Sequence, residues 1–496
     1  MRRFVWVSLS VLALGCGSST SGGSGTGGNG GGGGAAPQSL VNGLRVSEVS
    51  IYQGLKIPLE VEGVPVDPRP TPVVQGREAL LRVFVQPNPD WQPREVIVRL
   101  ELSNSQGLVG AQEIRRVVNG GSVEADFMSA FNFDVAATDI APDTTYSVGI
   151  YEVEPSQTAP SPGSRFPETG VAWLGALDDG PQIKMVLVPV QWNADGSGRL
   201  PDVSEAQVEK LRQQMYKMYP VRKVDIRVRE PLSWNQNVSA FGQGWGELLQ
   251  TVLYWRQDDL KNNVASDDEY YYGMFNPSNS FFSYCQQGCV AGLSSGSVSP
   301  KDSFLRGSIG LGYPGEYTAG TFVHETGHAH GRLHAPCPPF GQIQSVDPAF
   351  PYGDGGIGTW GYDLLTHQLI DPGGASKDMM GYCDPTWISD YTYTALFNRI
   401  AAVNGVADVI TLAPQKSWQT ISIAADGSLA VGVPFRVRGT PDGEPREVEV
   451  TGPGGSSRTV TGYFYPYSHI PGGMVLIPEP QAGDRAVRIG GRHLAL

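Results

Sequence analysis

Between residues 78 and 102 the chain alternates apolar and polar positions with a period of two. Ala79, Leu81, Val83 and Val85 alternate with Glu78 and Arg82; Val96, Val98, Leu100 and Leu102 alternate with Ile97, Arg99 and Glu101. Side chains on a strand point to opposite faces in turn, so this pattern predicts half-buried strands with one face in a core. Ala141-Pro142-Asp143-Thr144 is a turn sequence, and the alternating Tyr146, Val148 and Ile150 that follow read as another strand. Residues 39–165 are therefore expected to form a β-sandwich. It carries no constellation of reactive side chains, so packing or spacing is its expected role.

The period changes near residue 180. Ile183 to Val190 is an apolar, β-branched run between Pro181 and Asn193, which predicts a buried strand. Ser204-Glu205-Ala206-Gln207 is a capping box, and Val208, Leu211, Met215 and Met218 follow at helical spacing. The two methionines on that stripe are read as core. Val224 to Val228 is the next strand, Trp245 to Leu260 a second helix, and Tyr270–Phe275 and Val290–Leu293 two further strands. One of these is expected to be an edge strand along a substrate cleft, open to an extended peptide. A helix is expected from Thr318 to His330, an irregular Pro/Gly-rich stretch over 335–377, and a closing helix from Asp390 to Asn404. Past residue 413, short alternating runs and many turns indicate a small β domain, clearest at Val433–Val437 and Val448–Val450.

The third helix carries the chemistry. Residues 324–334 read His-Glu-Thr-Gly-His-Ala-His-Gly-Arg-Leu-His and hold four of the seven histidines. Positions i and i+4 share a helix face, so His324 and His328 can offer two imidazole nitrogens to one metal ion. Gly331 can take the left-handed conformation that ends a helix, and the turn brings His334 round as a third ligand. Three protein ligands with an open fourth position mark a catalytic rather than a structural zinc. Glu325 lies about 100° further round the helix, where a carboxylate can act as general base toward water at the open position. A His-rich surface loop is the plain alternative. Five specified residues in order, with a turn-forming glycine between the second and third histidine, weigh against it. His330 projects from another face and is read as structural, as is His367.

The string resembles the zinc motif of the metzincin endopeptidases, and Asp378-Met379-Met380-Gly381-Tyr382-Cys383 resembles their methionine turn. The resemblance implies that Met380 forms an apolar floor under the metal. It also implies that Tyr382 ligates the metal weakly or donates a hydrogen bond to the oxyanion. Several metzincin families carry Glu, Asp or Ser after the third histidine; here it is Ala335. Gly358-Thr359-Trp360-Gly361-Tyr362-Asp363 is loosely similar to a stretch of the mucin-cleaving metalloproteases of enteric bacteria. The architecture implied is multidomain α+β. A metzincin-like catalytic domain over 175–412, with a twisted mixed sheet, an active-site helix and an irregular lower subdomain, is flanked by an immunoglobulin- or fibronectin-like sandwich and a small C-terminal β domain over 413–496. The implied cofactor is one Zn2+. Asp347, Asp354, Asp363 and Asp371 raise the question of calcium, but no EF-hand spacing supports it.

Composition narrows the partners. The 496 residues carry a net charge of −13, which makes nucleic acid an unfavourable partner. Arg2 and Arg3 precede an apolar run from Phe4 to Leu14 and then Gly15-Cys16. This is a secretory signal, and the small residues before the cysteine resemble a bacterial lipoprotein signal with Cys16 as the lipidated residue. An ordinary signal peptide with an incidental cysteine is the alternative. Residues 17–38 are rich in Gly and Ser and suit a flexible tether. Gly17 does not suggest inner-membrane retention, so the outer membrane or cell surface is expected, with the lipid as the sole membrane contact.

Four cysteines remain for an oxidising compartment: Cys285, Cys289, Cys337 and Cys383, with three possible pairings. A Cys337–Cys383 bridge would join the two halves of the zinc site and stabilise by about 3–4 kcal/mol in the chain-entropy model. The reading that follows is a monomeric zinc endopeptidase acting on extracellular proteins or glycoproteins, with Glu325 as base. The competing class is an inactive surface lipoprotein serving as an adhesin or glycan-binding module; the intact Glu325 argues against it.

Overall fold

The computed structural model describes residues 39–154, 156–177, 182–296, 298–338, 344–410 and 414–496. Cys16 and the tether lie outside them. The protein is mostly β with few helices.

The N-terminal part is two antiparallel five-stranded sheets around one core. Leu44–Tyr52, Lys56–Val61 and Ala79–Pro87 lie in one sheet, Arg94–Asn104, Gly107–Val118 and Thr145–Glu152 in the other. Val49, Ile51, Leu81 and Val83 meet Val96, Val98, Leu100 and Val148 between them. Two expectations change. Ala172–Trp173 still pairs with Thr145–Glu152, so the sandwich runs past residue 165. The strand Ala79–Pro87 is buried on both faces as far as Val85, and its Arg82 is fully enclosed. The guanidinium is held by Glu124 Oε1 at 2.6 Å and Asn132 Oδ1 at 3.0 Å and packs over Phe84 and Phe127. A buried cation is tolerated because it is paired and hydrogen-bonded.

The central sheet contains β1 (Gln182–Trp192), β2 (Lys223–Val228), β3 (Leu232–Trp234), β4 (Glu269–Phe275), β5 (Gly292–Ser294) and β6 (Gly307–Leu311). The order is β2-β1-β4-β6-β5, with β3 on the far end of β1; all pairs are parallel except β5 with β6. A parallel sheet is covered on both faces, which is why β1 reads as one apolar run. Its period of two divides that run. Ile183, Met185 and Leu187 face α1 (Glu205–Met218), α3 (Glu316–Ala329) and α4 (Asp390–Ile410). Val186, Val188 and Val190 face α2 (Trp245–Lys261). Ser204 caps α1, its hydroxyl accepting from the Gln207 amide, and Met215 and Met218 are core.

The C-terminal sheet is antiparallel and seven-stranded: β7 (Gln415–Ile423), β8 (Leu429–Arg438), β9 (Glu444–Thr451), β10 (Ser457–Pro466), β11 (Gly473–Pro478), β12 (Ala486–Ile489) and β13 (Arg492–Ala495). One face has its own core of Ile421, Val448, Val475 and Ile477. The other places Trp418, Phe435, Tyr465 and Leu476 against α2. The expected separate domain over 413–496 thus shares a core with the central sheet. No helix among the described residues is long and apolar enough to cross a membrane.

Candidate metal centre

Helix α3 sets His324, Glu325 and His328 within little more than one turn. Gly331, at φ +82°, ends the helix as its sequence predicts, with its amide on the His328 carbonyl. A Cβ there would stand 2.8 Å from the Val298 carbonyl oxygen, so the close backbone approach also calls for glycine. The chain then turns and His334 enters the site.

The three expected ligands converge. His328 Nε2 lies 3.1 Å from His324 Nε2 and 3.1 Å from His334 Nε2. Each ring is oriented through its other nitrogen: His324 Nδ1 donates to the Met379 carbonyl (2.8 Å), His328 Nδ1 to Arg332 (2.6 Å) and His334 Nδ1 to Gln344 (2.5 Å). With every Nδ1 proton committed, each Nε2 presents a lone pair. Lone pairs facing at 3.1 Å repel unless a cation lies between them, so the donor set fits a divalent metal. Burial supports this protonation state. It pushes the His324 and His334 imidazoles down to about 3, and His328 well below the usual range, so all three are neutral.

Glu325 is 1% exposed, and loss of hydration raises its carboxyl to about 8. Its Oε2 has no hydrogen-bond partner among the described residues. Gly292 on β5 makes room for it: a Cβ at that position would lie 2.4 Å from Glu325 Cγ.

The methionine-containing turn lies under α3. Met379 and Met380 are both buried, and Met380 Sδ occupies the space a side chain at Gly327 would need. The buried Asp378 ties the turn together, accepting from the Met380 amide (2.8 Å) and the Ser389 amide (2.9 Å). Tyr382 Oη stands 3.3 Å from His334 Nε2. Disulfides join Cys285 to Cys289 and Cys337 to Cys383. The second links the segment just past His334 to the end of the methionine turn. Replacing Cys337 and Cys383 by Ser is expected to lower stability to urea unfolding by about 3–4 kcal/mol. An unchanged midpoint and slope would show that packing alone holds the two segments.

A fourth histidine joins the centre. His469 comes from the turn between β10 and β11, and its ring centroid lies 4.7–5.1 Å from those of the other three. Among the described residues the four form the group of His, Cys, Asp or Glu side chains able to hold a metal ion. Sequence reasoning missed His469 because no local spacing ties it to the helix; the turn residues Pro466, Pro471 and Gly472 mark only a bend. The remaining candidates lie elsewhere. His330 is buried, stacked on Tyr270 and bonded to the Thr326 carbonyl. His367 bonds Tyr362 Oη. Asp347, Asp354 and Asp363 pair with Arg332, Lys377 and Lys217, and Asp371 caps its own turn.

The expected open edge of the sheet is also altered. β5 is the edge strand, but Ser294 to Gly296 already pair with Pro466 to Ser468. Only the Gly292 end of the strand faces the centre beside Glu325.

Residues 300–397 match the family model described as Peptidase M66. The match spans α3, His334 and the methionine turn. Together with the histidine cluster it points to a metallopeptidase. No curated protein matches the chain. Among solved structures, a Parabacteroides merdae β-glucuronidase aligns at 11% identity over 48% of this chain and 30% of its own, with a TM-score of 0.15. A second structure of that enzyme with glycerol aligns at 10% identity over 90% and 77%, with a TM-score of 0.14. Likenesses this slight carry no argument about fold or activity.

Proposed function

We propose that the chain is a zinc-dependent endopeptidase of metzincin type that hydrolyses extracellular proteins or glycoproteins. The observation that carries the reading is the convergence of three neutral imidazole nitrogens beside a buried carboxylate. Three imidazole donors are a ligand set that catalytic zinc takes. His324, His328 and His334 would hold it, and the turn at Met380 supports the same reading. A zinc ion there supplies Lewis acidity, which eases deprotonation of water and polarises a carbonyl.

Glu325 performs the proton transfers. Its carboxylate takes a proton from the attacking water as the water oxygen bonds to the carbonyl carbon. The same proton then passes to the leaving nitrogen as the C–N bond breaks, giving one acid and one amine. Burial suits the task, because a carboxylate stripped of water is a stronger base. The two disulfides support export to an oxidising compartment, and attachment through Cys16 completes the proposal.

Incubation with a mixed peptide library tests the reading. Internal cleavage is expected, lost with a chelator and restored by added Zn2+. Cleavage indifferent to the chelator, or none from zinc-loaded protein, would overturn it.

A further inference from the structure

The fourth histidine is built into the centre. Its turn is tied to the edge strand: the Ser468 amide donates to the Ser294 carbonyl at 3.0 Å, the Ser294 amide to Ser468 Oγ at 3.0 Å, and the Gly296 amide to the Pro466 carbonyl at 2.7 Å. Gln250 Nε2 on α2 donates to Tyr467 Oη at 3.1 Å. Tyr467, Ser468 and Ile470 are buried, and Tyr467 and Ile470 belong to the core that α2 shares with the C-terminal sheet. Withdrawing the turn would break these bonds and expose both apolar side chains. The turn is therefore a fixed wall of the site rather than a lid.

The contacts of the imidazole assign its tautomer. Tyr382 Oη lies 2.6 Å from His469 Nδ1 and 3.3 Å from His334 Nε2. Once the His334 lone pair is engaged by a metal, the acceptor left to the phenol proton among the described residues is His469 Nδ1. The ring proton of His469 then sits on Nε2. That atom is buried and has no hydrogen-bond partner among the described residues. It approaches Glu325 Oε1 to 2.8 Å, but off the line a hydrogen bond requires. A buried N–H whose nearest acceptor, Glu325 Oε1, is poorly aligned keeps its donor capacity, and at a reactive centre an acceptor that arrives with the substrate can use it.

We propose that His469 is a catalytic residue of this centre, its Nε2–H donating a hydrogen bond to the scissile carbonyl oxygen as that oxygen gains negative charge. Tyr382 is a positioning residue that holds the imidazole in the donating tautomer. No proton leaves His469 in this role. The inference rests on the endopeptidase reading above. It also gives the C-terminal sheet a function, because the turn between β10 and β11 brings His469 to the centre.

The test uses the full chain, with His469→Ala, His469→Gln, Tyr382→Phe and the variant carrying both His469→Ala and Tyr382→Phe. The probe is a phosphinic peptide, a tetrahedral oxyanion mimic, built on a sequence the wild type cleaves. The parent peptide, bound in a Glu325→Gln background, is the control. Removing one such donor is expected to lower kcat about 10²-fold. His469→Ala should also weaken the phosphinate about as much, leave parent-peptide affinity within about threefold, and retain zinc. His469→Gln, which keeps an N–H, should recover part of both losses. Tyr382→Phe should weaken the phosphinate in the wild type and add little to His469→Ala, the coupling expected of residues acting as a unit.

Three outcomes would overturn the assignment while leaving the endopeptidase reading intact. They are an unchanged phosphinate affinity, a loss of zinc in His469→Ala, or a rise in kcat/KM that marks the turn as a block. If the wild type binds zinc and cleaves nothing, the endopeptidase reading falls and the assignment with it.

Discussion

Glu325→Gln is expected to lower kcat by about 10²–10⁴-fold, the range of a positioned general base, with zinc content unchanged. Gln is nearly isosteric, so it still fills the space that Gly292 leaves for it. The amide has no basic oxygen able to take up a proton, and the loss should fall on kcat rather than on peptide affinity. Metal analysis beside steady-state kinetics distinguishes the causes. If activity falls only in step with zinc, Glu325 supports the metal and another group is the base. Undiminished turnover with a full complement of zinc removes Glu325 from the mechanism.

His328→Ala should abolish metal binding at micromolar zinc, and activity with it. His328 is the central ring of the three: its Nε2 makes both 3.1 Å contacts, and it is fully buried. Without it, His324 and His334 remain held by the carbonyls of Met379 and Gln344, but two donors make a much weaker site. Thermal unfolding reads this independently of activity. A ligand bound to the folded state at 100 times its Kd stabilises by about 2.7 kcal/mol, so added zinc should raise the wild-type Tm and leave the variant's unmoved. An equal zinc-dependent rise in His328→Ala would mean that the ion binds elsewhere.

The centre was legible in the sequence to an unusual degree because most of it is local. The i, i+4 spacing of His324 and His328 needs only a helix. Gly331 reads as a left-handed position from its place in the motif, and its φ of +82° agrees. The central strands at Ile183–Val190 and Tyr270–Phe275 were legible as short apolar runs, and the C-terminal strand at Val448–Val450 as an alternation of buried and more exposed positions. Arg82 was misplaced for a reason of the same kind. Alternation says that a strand has two faces, but not whether a second layer covers the outer one.

Residues close in sequence are related by backbone geometry alone, and from that relation follow three histidines on a helix and its turn with a carboxylate between them; the methionine turn was implied by the family resemblance. His469, the filled end of β5 and the shared core of the C-terminal sheet arise from contacts between segments far apart in the chain. No periodicity records such contacts, because they depend on which faces remain uncovered once each layer has formed. Tyr382 shows the difference best: the family resemblance implied a place for it beside His334, where it lies, but packing of β10 and β11 sets His469 against its hydroxyl.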